Sequence, residues 1–183
     1  VWLRGRQGHN QPTRQRIADW ASLTVGVVTL AERHGGINVT PESFEAMVAD
    51  ASEHLAGFAR SARRATEGAN FHLLGTSGTV TTLAGLHLGL ERYDRRQVDG
   101  LWMSDRQVET VLQTLLGMTY DQRAANGCIG AERADLVLPG CAIFEAIRRA
   151  FPSKRVRIAD RGLREGILVE LMTADGLWGE GGR

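Results

Sequence analysis

The chain has 183 residues, of which 43% are hydrophobic and 23% are charged. This length and composition suit one globular domain, or two very small ones, and they exclude wholesale disorder. Because 22 basic residues nearly balance 21 acidic ones, the net charge of +1 also excludes a protein that is basic throughout. Basic residues cluster before Asp19 and between Arg148 and Arg164. Such clusters are most often solvated faces, but local binding of an anion stays open.

Cys128 and Cys141 have no further cysteine or histidine at ligand spacing. This pattern disfavours a disulfide scaffold and a structural zinc site, and it predicts small buried thiols in a reducing compartment. No apolar run approaches the roughly 18 residues that span a bilayer, and no signal-peptide pattern is visible. We therefore expect a cytoplasmic chain. Its first residue is Val1 rather than methionine, so we also expect it to be a piece of a longer protein.

The N-terminal third begins with a short apolar strand over residues 1–3. A polar stretch over residues 5–16 then predicts a hairpin loop or a ragged end. The β-branched run over residues 23–30 predicts a buried strand, and residues 31–34 a short helical turn that ends at two glycines.

The clearest helix follows. Thr40 is the expected N-cap, Pro41 the first helical residue, and Gly68 the end of the helix. One apolar stripe with spacings of three and four runs along it: Phe44, Met47, Val48, Ala51, Leu55, Phe58, Ala59 and Ala62. We therefore expect one face of this helix to be buried.

The most informative local pattern is a strand, a turn of small residues and a helix. Residues 71–74 predict the strand, residues 75–79 the turn, and residues 80–86 the helix. Ser104 then opens a helix through a capping box with Gln107, and Thr119 caps a shorter helix.

The C-terminal part predicts a helix over residues 131–151, in which Pro139 forces a kink or a restart near Val137. Residues 155–160 alternate as a half-buried or edge strand does, and residues 163–172 predict a last helix. This order of elements predicts an α/β layer fold.

The turn consists of Gly75, Thr76, Ser77, Gly78 and Thr79. Its glycines would let a ligand approach the backbone, and the helix that follows offers free N–H groups to an anion. An N-capped turn without a ligand is the alternative interpretation. Because no lysine follows the glycines, the turn is not a phosphate-binding P-loop.

Other catalytic patterns are weak. The five histidines show no metal-binding spacing, and Ser77 lacks the surroundings of a nucleophile elbow. Asp160, at the end of a predicted strand, is the most site-like acid, although we favour a structural role for it.

Four segments together resemble the C-terminal half of the exopolyphosphatase and guanosine pentaphosphate phosphohydrolase family, the Ppx/GppA phosphatases: residues 23–30, 75–84, 132–140 and 160–168. Their order and separation over nearly the whole chain make the match specific. The resemblance implies the actin-like (ribonuclease H-like) α/β fold. Residues 1–174 would form the second of two such domains, without its first strand, and residues 175–183 a flexible tail.

The resemblance also implies roles for particular residues. The turn over residues 75–79 would face phosphate or nucleotide, and Arg133 would point into the cleft toward phosphate. A surface ion pair of Arg133 with Glu132 or Asp135 is the alternative. Arg164 and Glu165 would hold the last helix against the sheet.

Finally, the resemblance implies an activity that this chain would not carry alone. The family's glycine-rich phosphate loop and its catalytic glutamate have no counterpart here, so we expect no catalytic residue and no activity in the isolated chain. The parent would hydrolyse polyphosphate or guanosine pentaphosphate with magnesium, and its first domain would be a partner. We expect neither nucleic acid nor membrane as partners, while a homodimer through the long helices stays open. A non-catalytic nucleotide- or polyphosphate-sensing module and a purely structural domain are the alternatives.

Overall fold

The computed structural model describes residues 2–4, 15–17, 19–66 and 70–177. The strands are β1 (Trp2–Arg4), β2 (Gln15–Ile17), β3 (Leu73–Gly75), β4 (Trp102–Ser104) and β5 (Arg155–Ile158). The α-helices are α1 (Val27–His34), α2 (Pro41–Thr66), α3 (Gly78–His87), α4 (Arg95–Val98), α5 (Asp105–Leu116), α6 (Tyr120–Ala125), α7 (Val137–Ala150) and α8 (Leu163–Ala174). A 3₁₀ turn spans Ala131–Arg133.

The N-terminal strands form a hairpin. β1 pairs antiparallel with β2, so that Trp2 lies opposite Ile17. This confirms a hairpin rather than a ragged end, but the second strand includes residues 15 and 16, which were predicted to belong to the loop. Val1, the connection over residues 5–14 and the predicted helix end at Gly68 lie outside the described residues.

The buried strand predicted over residues 23–30 is wrong. Helix α1 begins at Val27 instead, with Gly26 as its N-cap in an extended conformation. Leu30 is buried, whereas Val28 is 52% exposed, and this one-sided burial suits a helix lying on α2 and α7. The strand preference of β-branched residues is weak and yields to such packing. The predicted turn over residues 31–34 is the end of α1, which stops at Gly35 with a φ of +81°.

Three strands form a mixed sheet in the order β3-β5-β4. β3 runs parallel to β5, and β4 runs antiparallel to it. β5 is therefore a central strand and not an edge strand, but its predicted half-burial is confirmed. Val156 and Ile158 are buried, while Arg155 and Arg157 are exposed. The sequence did not predict β4, which has only three residues.

The helices bury the core against one face of this sheet. The predicted stripe of α2 is confirmed, because its members are buried or half-buried and α2 packs along α7. The largest apolar side chains that are fully buried come from several elements: Leu30, Met47, Leu83, Met103, Leu115, Leu138 and Ile158. Cys128 and Cys141 are free and buried, as predicted.

The predicted caps are confirmed. The Ser43 N–H donates to Thr40 Oγ1 over 3.2 Å, and Ser104 and Thr119 each form a reciprocal capping box with the glutamine three residues on. The expected break near Val137 is also confirmed, because α7 begins there after the short 3₁₀ turn.

Helix α8 is present as predicted, but the expected role of Arg164 and Glu165 in holding it against the sheet is wrong. Glu165 instead accepts the N–H of Gly162 over 2.7 Å at the start of the helix. None of the α8 residues is buried, and Leu163 is 80% exposed. None of the helices in the described part of the chain combines the length and apolar character that crossing a bilayer requires.

Candidate functional site

The candidate site lies where the parallel strands β3 and β5 end. The chain leaves β3 through Thr76 and Ser77 into α3, and it leaves β5 through Ala159 and Asp160. The Ala159 N–H donates to Gly75 O over 2.9 Å, which keeps the two strand ends together. In open α/β sheets, ligands bind at this carboxyl edge of the strands.

The turn after β3 presents the N-terminus of α3. Ser77 caps the helix, since its Oγ accepts the Val80 N–H over 3.4 Å, and Thr81 Oγ1 donates to Gly78 O over 3.1 Å. No acceptor within the described ranges reaches the N–H groups of Gly78 and Thr79. These groups remain available to an anion.

A pocket of about 510 Å³ opens beside this helix end. Its walls come from the start of α3, from the loop between α6 and α7, and from the end of β5. The side chains and backbone that line it are those of Gly78, Thr81, Tyr93, Gly127, Cys128, Ile129, Gly130, Ala131, Glu132, Arg133 and Asp160.

Arg133 and Gly78 meet in this pocket. A Cβ atom built on Gly78 would lie 3.5 Å from Arg133 Nη1, so the guanidinium lies beside the first residue of α3. Arg133 is exposed and forms no ion pair with any described residue, including Glu132 and Asp135. A guanidinium beside the positive end of a helix is electrostatically unfavourable unless an anion lies between them. The arrangement therefore fits an anion with several oxygen atoms.

The other predicted residues of the turn contribute differently. Thr76 and Ser77 are exposed next to the pocket. Gly75 belongs to β3, where a Cβ would lie 2.8 Å from Val80 Cγ2, and Thr79 packs against α7 at Gly140. The structure thus brings Gly78 and Arg133 together, and it gives Gly75 and Thr79 packing contacts.

Asp160 lies on the opposite wall and is already engaged. Tyr93 Oη donates to Asp160 Oδ2 over 2.7 Å, and Arg95 Nε lies 3.4 Å from the same oxygen. Burial raises the pKa of Tyr93 to about 12, and the hydrogen bond to Asp160 acts in the same direction. Tyr93 therefore keeps its proton near neutral pH and acts as a donor rather than a base.

A second carboxylate holds the Asp160 backbone in place. Asp99 Oδ1 accepts the Asp160 N–H over 3.0 Å, and Asp99 Oδ2 accepts from Arg161 Nε over 3.1 Å. These bonds, the backbone N–H first, hold the pKa of Asp99 below its usual value. Asp99 and Asp160 are thus engaged locally, whereas Arg133 and Glu132, which both line the pocket, have no ion-pair partner among the described residues.

Within the described ranges, no three histidine, cysteine or acidic side chains come together as a metal site. Magnesium is typically held by one or two carboxylates together with substrate phosphates. Asp160 is occupied by Tyr93 and Arg95, so it is not a free ligand for magnesium at this pocket.

The comparisons with known proteins agree on one family. The model of the Ppx/GppA phosphatase family matches residues 12–175. The chain belongs to the Ppx/GppA phosphatase family. The resemblance seen in the sequence is therefore confirmed, and with it membership of a family of phosphatases.

Individual relatives support the assignment. The chain is 28% identical to exopolyphosphatase 2 of Mycobacterium tuberculosis over 102 residues. This match covers 54% of this chain and 32% of that protein. The match to the curated relatives covers 29% to 32% of their length. The chain thus spans about a third of those proteins.

Solved structures confirm the fold. The Aquifex aeolicus Ppx/GppA family member superposes with a TM-score of 0.71 at 24% identity, over 88% of this chain and 50% of that one. An exopolyphosphatase from Cytophaga hutchinsonii gives a TM-score of 0.69 at 20% identity, over 84% and 49%. The predicted α/β actin-like fold is confirmed. The missing first strand, the boundary at residue 174 and the C-terminal tail stay predictions.

Sequence reasoning missed several residues of the pocket. Tyr93 lies in a loop, and its hydrogen bond to Asp160 spans 67 residues of sequence. Thr81 looked like an ordinary helical residue, and the loop over residues 127–130 carries no motif. Only the position of Asp160 at the end of a predicted strand signalled this wall.

Proposed function

We propose that this chain forms one wall of the substrate cleft in a phosphohydrolase that cleaves phosphoanhydride bonds of inorganic polyphosphate or guanosine pentaphosphate. The observation that carries the proposal is the unpaired Arg133 guanidinium beside the N-terminus of α3 at Gly78. Family membership supports the hydrolysis of phosphate compounds. The name of the Mycobacterium tuberculosis relative supports polyphosphate as the substrate.

In this proposal the chain binds and orients phosphate. Arg133 donates two parallel hydrogen bonds to non-bridging oxygens of one phosphate, and the free N–H groups of Gly78 and Thr79 bind the same or the next phosphate. Phosphoryl transfer depends mainly on such positioning and on neutralising charge. Tyr93 stays protonated near neutral pH, and its one O–H holds Asp160 at the rim of the pocket.

The group that orients the attacking water belongs, in this proposal, to another part of the longer protein. On this chain Asp160 is engaged by Tyr93 and Arg95, so it is not a free base. We therefore propose that the isolated chain is inactive and that its partner in catalysis is a second domain. Magnesium and the cytoplasmic location remain predictions for the longer protein.

Phosphate release by the full-length protein tests the proposal, with polyphosphate and guanosine pentaphosphate as alternative substrates. Arg133→Ala should lower kcat/KM at least about tenfold, since hydrogen bonds to charged groups contribute roughly 1.5–3 kcal/mol. Arg133→Lys should recover only part of the loss, because an ammonium cannot form the two parallel bonds.

The matched control is Arg60→Ala, which removes an exposed arginine from α2. It should leave the kinetics unchanged. Wild-type kinetics in Arg133→Ala would remove this residue from the site. Binding of polyphosphate by the full-length protein without any release of phosphate would favour a sensing module over an enzyme.

A further inference from the structure

Arg123 is the largest side chain that is fully buried in the described part of the chain, and the proposed function gives it no role. It lies on the short helix α6 and is 2% exposed. No carboxylate pairs with it among the described residues, and burial lowers the pKa of its guanidinium, although an arginine remains charged in proteins. A buried charge of this kind is costly unless hydrogen bonds satisfy it.

Backbone carbonyl oxygens accept hydrogen bonds from the buried guanidinium of Arg123. Arg123 Nε donates to Ala134 O over 2.9 Å and Nη1 donates to Met118 O over 2.8 Å. Nη2 donates to Ile37 O over 2.7 Å and to Gly36 O over 3.3 Å. One side chain thus connects three segments: the start of α6, the turn between α1 and α2, and the residue directly after Arg133.

The segment around Arg133 has little support of its own. Its 3₁₀ turn is three residues long, and its local bonds are Arg133 N–H to Gly130 O over 3.1 Å and Leu136 N–H to Arg133 O over 3.0 Å. A single turn of this kind is marginal without tertiary contacts. The bond from Arg123 to Ala134 supplies such a contact at the end of the turn.

A second contact fixes the same segment from the same side. Gly36 approaches Asp135 so closely that a Cβ on Gly36 would lie 2.0 Å from Asp135 O. The turn between α1 and α2 therefore packs directly on the residues that follow Arg133, and Arg123 bonds to both.

We propose that Arg123 is a positioning residue that holds Arg133 beside the N-terminus of α3. Its guanidinium fixes the carbonyl of Ala134, and through it the 3₁₀ turn, so that the Arg133 side chain reaches the anion beside Gly78. This inference rests on the proposed function of Arg133.

The first test is a double-mutant cycle in the full-length protein. Arg123→Lys keeps the charge but cannot reach all four carbonyls. Gly36→Ala keeps the Arg123 side chain and displaces the same segment, because its Cβ would lie 2.0 Å from Asp135 O. Each should lower kcat/KM about fivefold in the wild-type background and less than about twofold in the Arg133→Ala background, because coupled residues are not additive. The matched control is Gly57→Ala, where a Cβ meets nothing within 4 Å. It should leave kcat/KM unchanged in both backgrounds.

The second measurement does not depend on activity. Amide hydrogen exchange should become faster at residues 133–136 in Arg123→Lys, while the amides of α2 keep their protection. If Arg133→Ala itself leaves the kinetics unchanged, the proposed function fails, and this exchange alone decides whether Arg123 fixes the turn. Equal losses of kcat/KM in both backgrounds, or unchanged exchange at residues 133–136, would overturn the proposal. If Arg123→Lys does not fold, Gly36→Ala carries the same test.

Discussion

Two surfaces of this molecule present arginine, and they differ in what surrounds the charge. At the junction of α5 and α7, Arg148 lies 2.7 Å from Asp105 and also pairs with Glu109 and Glu145. Its neighbour Arg149 pairs with Glu45 through two bonds of 2.7 Å. At the pocket, Arg133 has no carboxylate partner within the described ranges and lies beside a helix N-terminus.

The difference shows why a cluster of basic residues is a poor guide to an anion site. The sequence concentrates arginines between Arg148 and Arg164, yet carboxylates from other elements neutralise Arg148 and Arg149. Arg133 lies outside that cluster, and no carboxylate among the described residues pairs with it. A bound anion would gain more where a cation is unpaired, because it need not displace an existing partner.

The largest expected effect on stability belongs to the paired surface. Arg148→Ala would leave Glu145, whose side chain is 13% exposed, without one of its partners. We expect a loss of about 2 kcal/mol in the free energy of unfolding, measured by urea denaturation, and unchanged kcat/KM in the full-length protein. Arg106→Ala, an exposed neighbour, is the control and should cost less than about 0.5 kcal/mol. A kinetic defect in Arg148→Ala would contradict the distinction between the two surfaces.

The next effect belongs to the pocket. Gly78→Val would place methyl groups where Arg133 Nη1 lies 3.5 Å from the position of a Cβ. We expect affinity for a phosphate ligand to fall about tenfold, roughly 1.4 kcal/mol, by calorimetry on the full-length protein. Gly57→Val, where a Cβ meets nothing within 4 Å, serves as the control for adding a valine to a helix. Unchanged affinity in a folded Gly78→Val protein would show that the turn only caps a helix.

The parts of the fold that the sequence predicted are those with local causes. The capping boxes at Ser104 and Thr119 involve residues three apart, and the stripe of α2 repeats over many turns. The strand predicted over residues 23–30 was wrong because packing decides between helix and strand there, and most of that packing is on α7, which is distant in sequence. The sequence did not predict β4, because a strand of three residues is too short to show an alternation of apolar and polar side chains.

The candidate site likewise contains residues that motifs predicted and residues that only contacts between distant segments bring together. The turn and Arg133 came from motifs of the family, and the structure places Gly78 and Arg133 together. The separation of Gly75 and Thr79 from the pocket depends on close approaches to Val80 and Gly140, which no motif encodes. The contacts of Tyr93 and Arg123 join residues that are 67 and up to 87 positions apart, so a single sequence offers no pattern for them.

The smallest effect concerns a third group of charges, on α1 and α2, and it extends the comparison to pH. Asp50 accepts from His34 Nε2 over 2.9 Å and from Arg33 Nη1 over 3.1 Å. The hydrogen bond to His34, and then that to Arg33, hold the pKa of Asp50 below its usual value. A carboxyl whose pKa is lower in the folded state stabilises the fold above its unfolded pKa of about 3.9, and this stabilisation is lost as the pH falls below that value. Asp50→Asn should therefore cost about 0.5–1 kcal/mol at pH 7 and progressively less below about pH 4. Urea denaturation of the two proteins from pH 7 to pH 3 measures this difference, which should narrow with acidification. A constant difference across that range would show that the carboxylate charge of Asp50 does not stabilise the contact between α1 and α2.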